Sequence, residues 1–237
     1  MNVLIRVPLN TSAEQHARLC ELRAVFARAC NALAPEVQRS RVWNRVALHH
    51  LHYRALREQF PELGSQMVCN AIYAVSKMAR LIYQHPASPY QMARRPGQAL
   101  PLLKFADSCP VYFDRHTLSL KPGQLSLYTM DGRMRFELAL EPGQLSAFNS
   151  AKLREVVLNE RADHRFELSF YLDALPAQVA GAALSVQVAG AAQTAKADQG
   201  QAADPALAQD LQQDAAEPAF DAGSTPIPAY VSVEVAS

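Results

Sequence analysis

The chain has 237 residues, 49% of them hydrophobic, which is enough to build one domain or two small ones around a core. Its net charge of +1 conceals a division: residues 176–237 hold one Lys and seven acids, whereas residues 1–175 hold 22 bases and 15 acids. No apolar run approaches the roughly 20 residues of a membrane span, and MNVLIRVPLN is too short and interrupted for a signal peptide, so a cytoplasmic protein without a membrane partner is expected.

In chain order, the β-branched run NVLIRV predicts a strand over residues 2–7, stopped by Pro8. Thr11 and Glu14 form a capping-box pattern, and Leu19, Leu22, Phe26, Cys30 and Leu33 share one face of a predicted helix over 12–33. Val42, Val46, His49, Tyr53, Leu56 and Phe60 predict a second helix that buries that stripe and ends at Pro61. A third follows Gly64, with Ser65 as its cap and Val68, Ile72, Val75, Ala79 and Ile82 inward. Pro, Gly and Gln then break the helical period over 86–101. Short runs follow at Pro110–Phe113, Thr117–Leu120, Leu125–Met130, Met134–Leu140, Leu153–Asn159 and Phe166–Leu172, separated by turn signals such as Lys121-Pro122-Gly123 and Asp131-Gly132. The expected class is α+β: a small antiparallel β-barrel from residues 1–10 and 98–174, with a three-helix lobe inserted at 11–97. The Ala-, Gln- and Asp-rich stretch 175–237, in which QVAGAA occurs twice, buries too little to order itself and is expected to be a largely disordered acidic tail.

Between residues 11 and 100 there are twelve bases, eleven of them Arg, against five acids, a field that attracts polyanions. On the second helix the apolar stripe is bordered by Arg41, Arg45 and His52 on one side and by His50, Arg54 and Arg57 on the other. Guanidinium forks suit phosphate oxygens and stack on bases. The plain alternative pairs these arginines with Glu58, Glu62 or solvent. Gln66, Asn70, Tyr73, Lys77, Arg80 and Gln84 give the third helix a polar face that either tracks a nucleic-acid strand or is simply solvated. Arg133, with Arg135, Lys121 and Lys104, extends the basic track onto the barrel or stands as isolated surface charge. His49 reads as a core histidine, because the His49, His50 and His52 group has no nearby carboxylate or Cys to complete a metal site. Cys20, Cys30, Cys69 and Cys109 are widely spaced, with no C-x-x-C pair, and read as reduced thiols. No G-x-S-x-G, H-E-x-x-H or P-loop pattern occurs, so neither catalysis nor a cofactor or metal is expected.

Five features carry a family resemblance over most of residues 1–172: VPLNTSAEQ at the start, Ala29-Cys30-Asn31, LREQFPELGSQMVCNAI, PVYFD followed by LSL, and YTMDGR. In order and spacing they resemble the N-terminal half of the TnpB (OrfB) proteins of insertion sequences, RNA-guided DNA endonucleases related to type V CRISPR effectors. The resemblance implies a wedge domain interrupted by a helical recognition lobe, with structured RNA and DNA as partners. In that family a RuvC-type nuclease with a zinc ribbon follows, whose carboxylates hold two metal ions. Here the sequence ends at Tyr230–Ser237, where Glu234 stands in the place of the first nuclease Asp or closes an unrelated short β-like segment. The expectation is a nuclease-deficient, transposon-derived nucleic-acid-binding protein. The alternatives are a subunit of a split nuclease whose RuvC part is supplied in trans, a non-functional remnant of a truncated gene, and a protein-interaction scaffold.

Overall fold

A computed structural model describes residues 2–121, 123–138, 151–174 and 227–235, together with positions 140, 141, 143, 144, 146 and 148. Asn2–Pro8 forms β1, followed by three helices, α1 (Ala13–Ser40), α2 (Arg45–Gln59) and α3 (Ser65–Tyr83), and a single 3-10 turn at Met92–Arg94. Then come β2 (Leu102–Phe105), β3 (Val111–Phe113), β4 (Leu118–Lys121), β5 (Gln124–Thr129), β6 (Gly132–Glu137), β7 (Ala151–Glu160), β8 (Phe166–Ala174) and β9 (Val231–Glu234).

Helix boundaries follow local capping chemistry. The capping box of α1 sits one residue later than expected: Gln15 N–H donates to Ser12 Oγ (3.2 Å) and the Gln15 side chain accepts from Ser12 N–H (3.0 Å). The helix also passes through Pro35 and outruns its expected end by seven residues, because Pro35 lies on the exposed side while Ala34 and Val37 are buried. It stops where Arg41 turns left-handed (φ 56°) and returns its N–H to Val37 O. Asn44 caps α2, leaving Val42 outside the helix, and the residues of α2 that become fully buried are Leu48 and Leu56. The buried line is therefore rotated from the expected stripe, in which Val46, His49 and Tyr53 are only half-buried.

Most of α3 is buried, so it forms the central helix, against α1 and α2 on one side and β3 on the other. Its N-cap is Gly64 rather than Ser65, with no side-chain cap. The reason is steric: a Cβ at Gly64 would stand 2.7 Å from Tyr128 Cε1.

The strands form three antiparallel sheets: β1-β8-β7-β3, β2-β9 and β4-β5-β6. β1 lies beside β8, from Asn2↔Asp173 to Pro8↔Glu167, so the helices are an insertion between sheet-forming segments. Among the described residues the sheets stay open, and the closed barrel expected from the meander is not formed. Helices and sheets instead share one hydrophobic core, with Phe26, Ile72, Tyr83, Phe166 and Phe170 all fully buried.

Two short strands escaped the sequence pattern. β2 is held to α1 by Asn31, whose Nδ2 donates to Phe105 O (2.8 Å) and whose Oδ1 accepts from Phe105 N–H (2.7 Å), so the carboxamide acts as a neighbouring strand. Gln38 Nε2 to Leu100 O and Tyr83 Oη to Pro101 O fix the approach to it. β9 pairs with its other edge, from Leu102↔Glu234 to Phe105↔Val231, and Tyr230 Oη reaches Met78 Sδ on α3 (3.8 Å). A disordered tail over 175–237 is thus corrected at 227–235, where Val231 is buried against the core. The remainder of that expectation, 175–226 and 236–237, lies outside the described residues.

Candidate nucleic-acid interface

The basic excess of the helical region divides by what each cation meets. Several cations of α1 face acids: Arg23 is buried and bonded to Glu160 (2.5 Å), Arg18 meets Asp131 (3.4 Å) and Thr129 Oγ1 (3.1 Å), and Arg28 meets Glu62 (3.6 Å). The guanidinium beside it holds Glu160 below the usual carboxylate range despite partial burial, with His164 adding to the effect. These charges are spent on joining helix to sheet or turn.

Around α2 the partners are of another kind. Arg41 Nη2 donates to Gln98 O (2.9 Å), and Arg57 Nη1 donates to the Phe60 and Leu63 carbonyls, closing the turn into α3. Neutral oxygens orient a guanidinium without cancelling its charge. Arg45 lies 5.1 Å from the Tyr73 ring centroid, a cation–π contact. Arg54 pairs with Glu58 (3.2 Å), but both side chains are largely in solvent, where such an i,i+4 pair contributes little. His52 is half-buried, and its Nε2 is enclosed with no hydrogen-bond partner among the described residues. Residues 36–98 hold nine bases against three acids, and of the nine Lys77 meets Glu155, Arg39 meets Glu36 and Arg54 meets Glu58.

α3 places four of its polar residues, Gln66, Asn70, Tyr73 and Lys77, differently from the expected strand-tracking surface: they form its seam with the sheets. Asn70 is 4% exposed, and its Nδ2 donates to Tyr112 O (3.0 Å). Gln66 Nε2 donates to Asp114 Oδ2 (2.5 Å), while Asp114 Oδ1 accepts from the His116 and Thr117 amides and so fixes the turn after β3. Lys77 Nζ reaches both oxygens of Glu155 (2.8 and 2.9 Å), and Tyr73 Oη donates to the same carboxylate (2.5 Å). Arg80 bonds to Ser76 Oγ (3.4 Å). The physical reason is position: a helix packed on both sides has almost no face left for a ligand.

On β6, Arg133 is exposed and its Nη2 donates to His116 O (3.0 Å), beside exposed Arg135. Lys104 is paired with Glu234 (3.0 Å), which places the carboxylate matched above to a nuclease Asp in a strand-to-strand ion pair. Cys30, Cys69 and Cys109 are buried free thiols, and burial raises their pKa, to about 11 at Cys69 and about 12 at Cys109. His49 stacks on Tyr53 (4.6 Å), and burial, then His50 and Arg45, lower its affinity for protons. Among the described residues no group of three or more His, Cys, Asp or Glu is placed to hold a metal ion, and no helix is long and apolar enough to cross a membrane.

The segment after α3, read from sequence only as helix-breaking, contributes residues that charge counting alone did not single out. Arg95, Pro96, Gly97 and Gln98 form a β-turn, closed by Gln98 N–H to Arg95 O, with Pro at its second position and Gly97 at φ 75° at its third. The turn folds Gln98 back so that its Oε1 accepts from Arg95 Nε (2.7 Å) while its backbone O holds Arg41. Beside it lies a cavity of about 100 Å³ lined by Arg41, Tyr90, Met92, Arg95 and residues 96–101. The Arg-Arg-Pro-Gly string was the available signal. Searches against protein-family models and curated proteins find no match to this chain.

Proposed function

We propose that this chain is a nucleic-acid-binding protein, related to the wedge and recognition-lobe half of TnpB-type proteins, that grips a polynucleotide backbone with α2 and the segment after α3. The observation that carries the reading is the manner in which Arg41, Arg57 and Arg95 are held. Each guanidinium is positioned by neutral oxygens, and the surrounding residues 36–98 carry three times as many bases as acids. Oriented, uncancelled guanidinium groups are what phosphate contacts require. The topology supports the relationship: helices enter between β1 and the remaining strands, as a lobe inserted into a β-domain would. Structured RNA, DNA or a guide-bound hybrid are the partners this reading admits.

The test is the salt dependence of binding. Arg41, Arg54 and Arg95 are changed together to Gln, leaving Arg57 in place because it closes the turn into α3 and Arg45 because it stacks on Tyr73 in the α3 seam. Fluorescence anisotropy with labelled RNA and DNA gives the slope of log K against log[salt]. Loss of three phosphate contacts lowers that slope by about 2 to 3. A wild-type protein that binds neither polymer at low salt, or a folded triple variant with unchanged affinity and slope, would overturn the proposal.

A further inference from the structure

We infer that the cavity between Arg41 and the Arg95–Gln98 turn is a seat for a single phosphate group. The inference rests on the nucleic-acid reading for the source of the phosphate, but on the cavity alone for its chemistry.

Two guanidinium groups converge on one residue, Gln98, Arg41 through the backbone oxygen and Arg95 through the side chain. Each is therefore fixed before any ligand arrives. No carboxylate lines the cavity. Arg95 Nη1 is enclosed by protein and has no hydrogen-bond partner among the described residues. The Arg95 guanidinium also lies over the Tyr90 ring (5.6 Å to its centroid), which limits how far it can swing away. A cavity of about 100 Å³ has room for one small tetrahedral oxyanion. A phosphate, with several acceptor oxygens and one to two negative charges near neutral pH, matches two donor forks set by a rigid Pro-Gly turn. Arg94, adjacent and exposed, lies outside the cavity lining and is available to a neighbouring phosphate.

The seat is served by a phosphate of a polynucleotide or by a free phosphate ester, and titration of the full chain separates them. Inorganic phosphate, adenosine monophosphate, adenosine and a single-stranded oligonucleotide are followed by the NMR shifts of the Arg95 Nε–H and Gln98 amide signals. The expected result is that phosphate and the monophosphate shift these signals while adenosine does not. Arg95→Gln should weaken each phosphate-bearing ligand by about tenfold or more, and Arg95→Lys, which keeps the charge but loses the fork, should restore only part. Circular dichroism checks that both variants fold. If phosphate leaves the turn signals unmoved, the seat does not exist, whatever happens to the oligonucleotide. Equal oligonucleotide affinity in wild type and Arg95→Gln refutes the polynucleotide as the source of the seated phosphate while leaving the broader reading intact. Binding of the free ester without the oligonucleotide supports the seat and refutes the polynucleotide reading.

Discussion

The seam between α3 and β7 makes a quantitative prediction about whether Lys77 holds the fold together or waits for a ligand. Glu155 is 8% exposed and accepts from Lys77 Nζ twice and from Tyr73 Oη, while Lys77 also lies 5.1 Å from the Tyr112 ring centroid. Glu155→Ala strands an ammonium and a phenol. Breaking a buried pair from one side costs about 3–5 kcal/mol, and the one-fifth of the Lys77 side chain still in solvent lowers this to about 2–3 kcal/mol. For a chain of this size that is a fall in Tm of about 4–12 °C. Lys77→Met alone should cost a similar amount, because it leaves the carboxylate buried. The double change Lys77→Met with Glu155→Leu removes both charges and should return to within about 1 kcal/mol of wild type. Urea unfolding of wild type, Lys77→Met, Glu155→Leu and the double variant gives the coupling energy directly. Additive single effects, or a Glu155→Ala cost under about 1 kcal/mol, would refute the structural role. The same double variant tests function: with the seam intact and α2 unaltered, oligonucleotide affinity should not change.

Three further outcomes follow from other parts of the structure. Gly64→Ala drives a methyl to 2.7 Å from the Tyr128 ring and should cost about 1–3 kcal/mol in urea unfolding, part of it recovered when Tyr128 is also shortened to Leu. Asn31→Leu removes both partners of the Phe105 backbone and should cost about 2–4 kcal/mol, with hydrogen exchange at the Phe105 amide accelerating more than at Leu168 in the four-stranded sheet. His49, mainly through burial, binds a proton less readily in the folded protein than in the unfolded chain. Its contribution is therefore complete above the ordinary imidazole pKa of about 6.5 and is lost as pH falls below that value and through the lowered pKa of the folded state. His49→Phe should flatten the decline in urea midpoint between about pH 7.5 and about pH 5.5, and an unchanged slope would remove His49 as its source.

Hydrophobic periodicity reported the elements well where one face is buried and the other solvated. α1, α2, the strand at residues 2–7 and the runs that became β4 to β8 were legible because their apolar spacing is a direct consequence of one-sided burial, and α3 and β3 were legible although nearly all of their residues are buried. β2 and β9 were not, since four residues carry too little pattern and their partners come from far away, Phe105 from Asn31 on α1 and Val231 on β9. Barrel closure was equally out of reach: turn residues specify which neighbours pair, whereas the way a meander's ends meet depends on how helices cover the sheets. The motifs behind the family resemblance turn out to meet one another. Gln66 meets Asp114, Asn70 meets Tyr112, Gly64 meets Tyr128, and the Asn31 of Ala29-Cys30-Asn31 splices a helix to a strand. What those strings encode is the junction of helices and sheets.

That distinction reshapes the functional argument. A polar residue on an amphipathic helix signals only that the residue avoids an apolar neighbour, and solvent, an internal carboxylate or a phosphate satisfies it equally. Sequence spacing assigns Lys77 and Arg41 the same status, yet one ends on Glu155 inside a seam and the other on the backbone oxygen of Gln98 beside a cavity. An arginine matched to a carboxylate has discharged its attraction. An arginine steadied by a carbonyl keeps it, and loses less conformational freedom when an anion arrives. The positive field counted over residues 11–100 therefore contracts to α2 and the Arg94–Gln98 turn, and the proposed polymer contacts centre on the Arg41 and Arg95 pair.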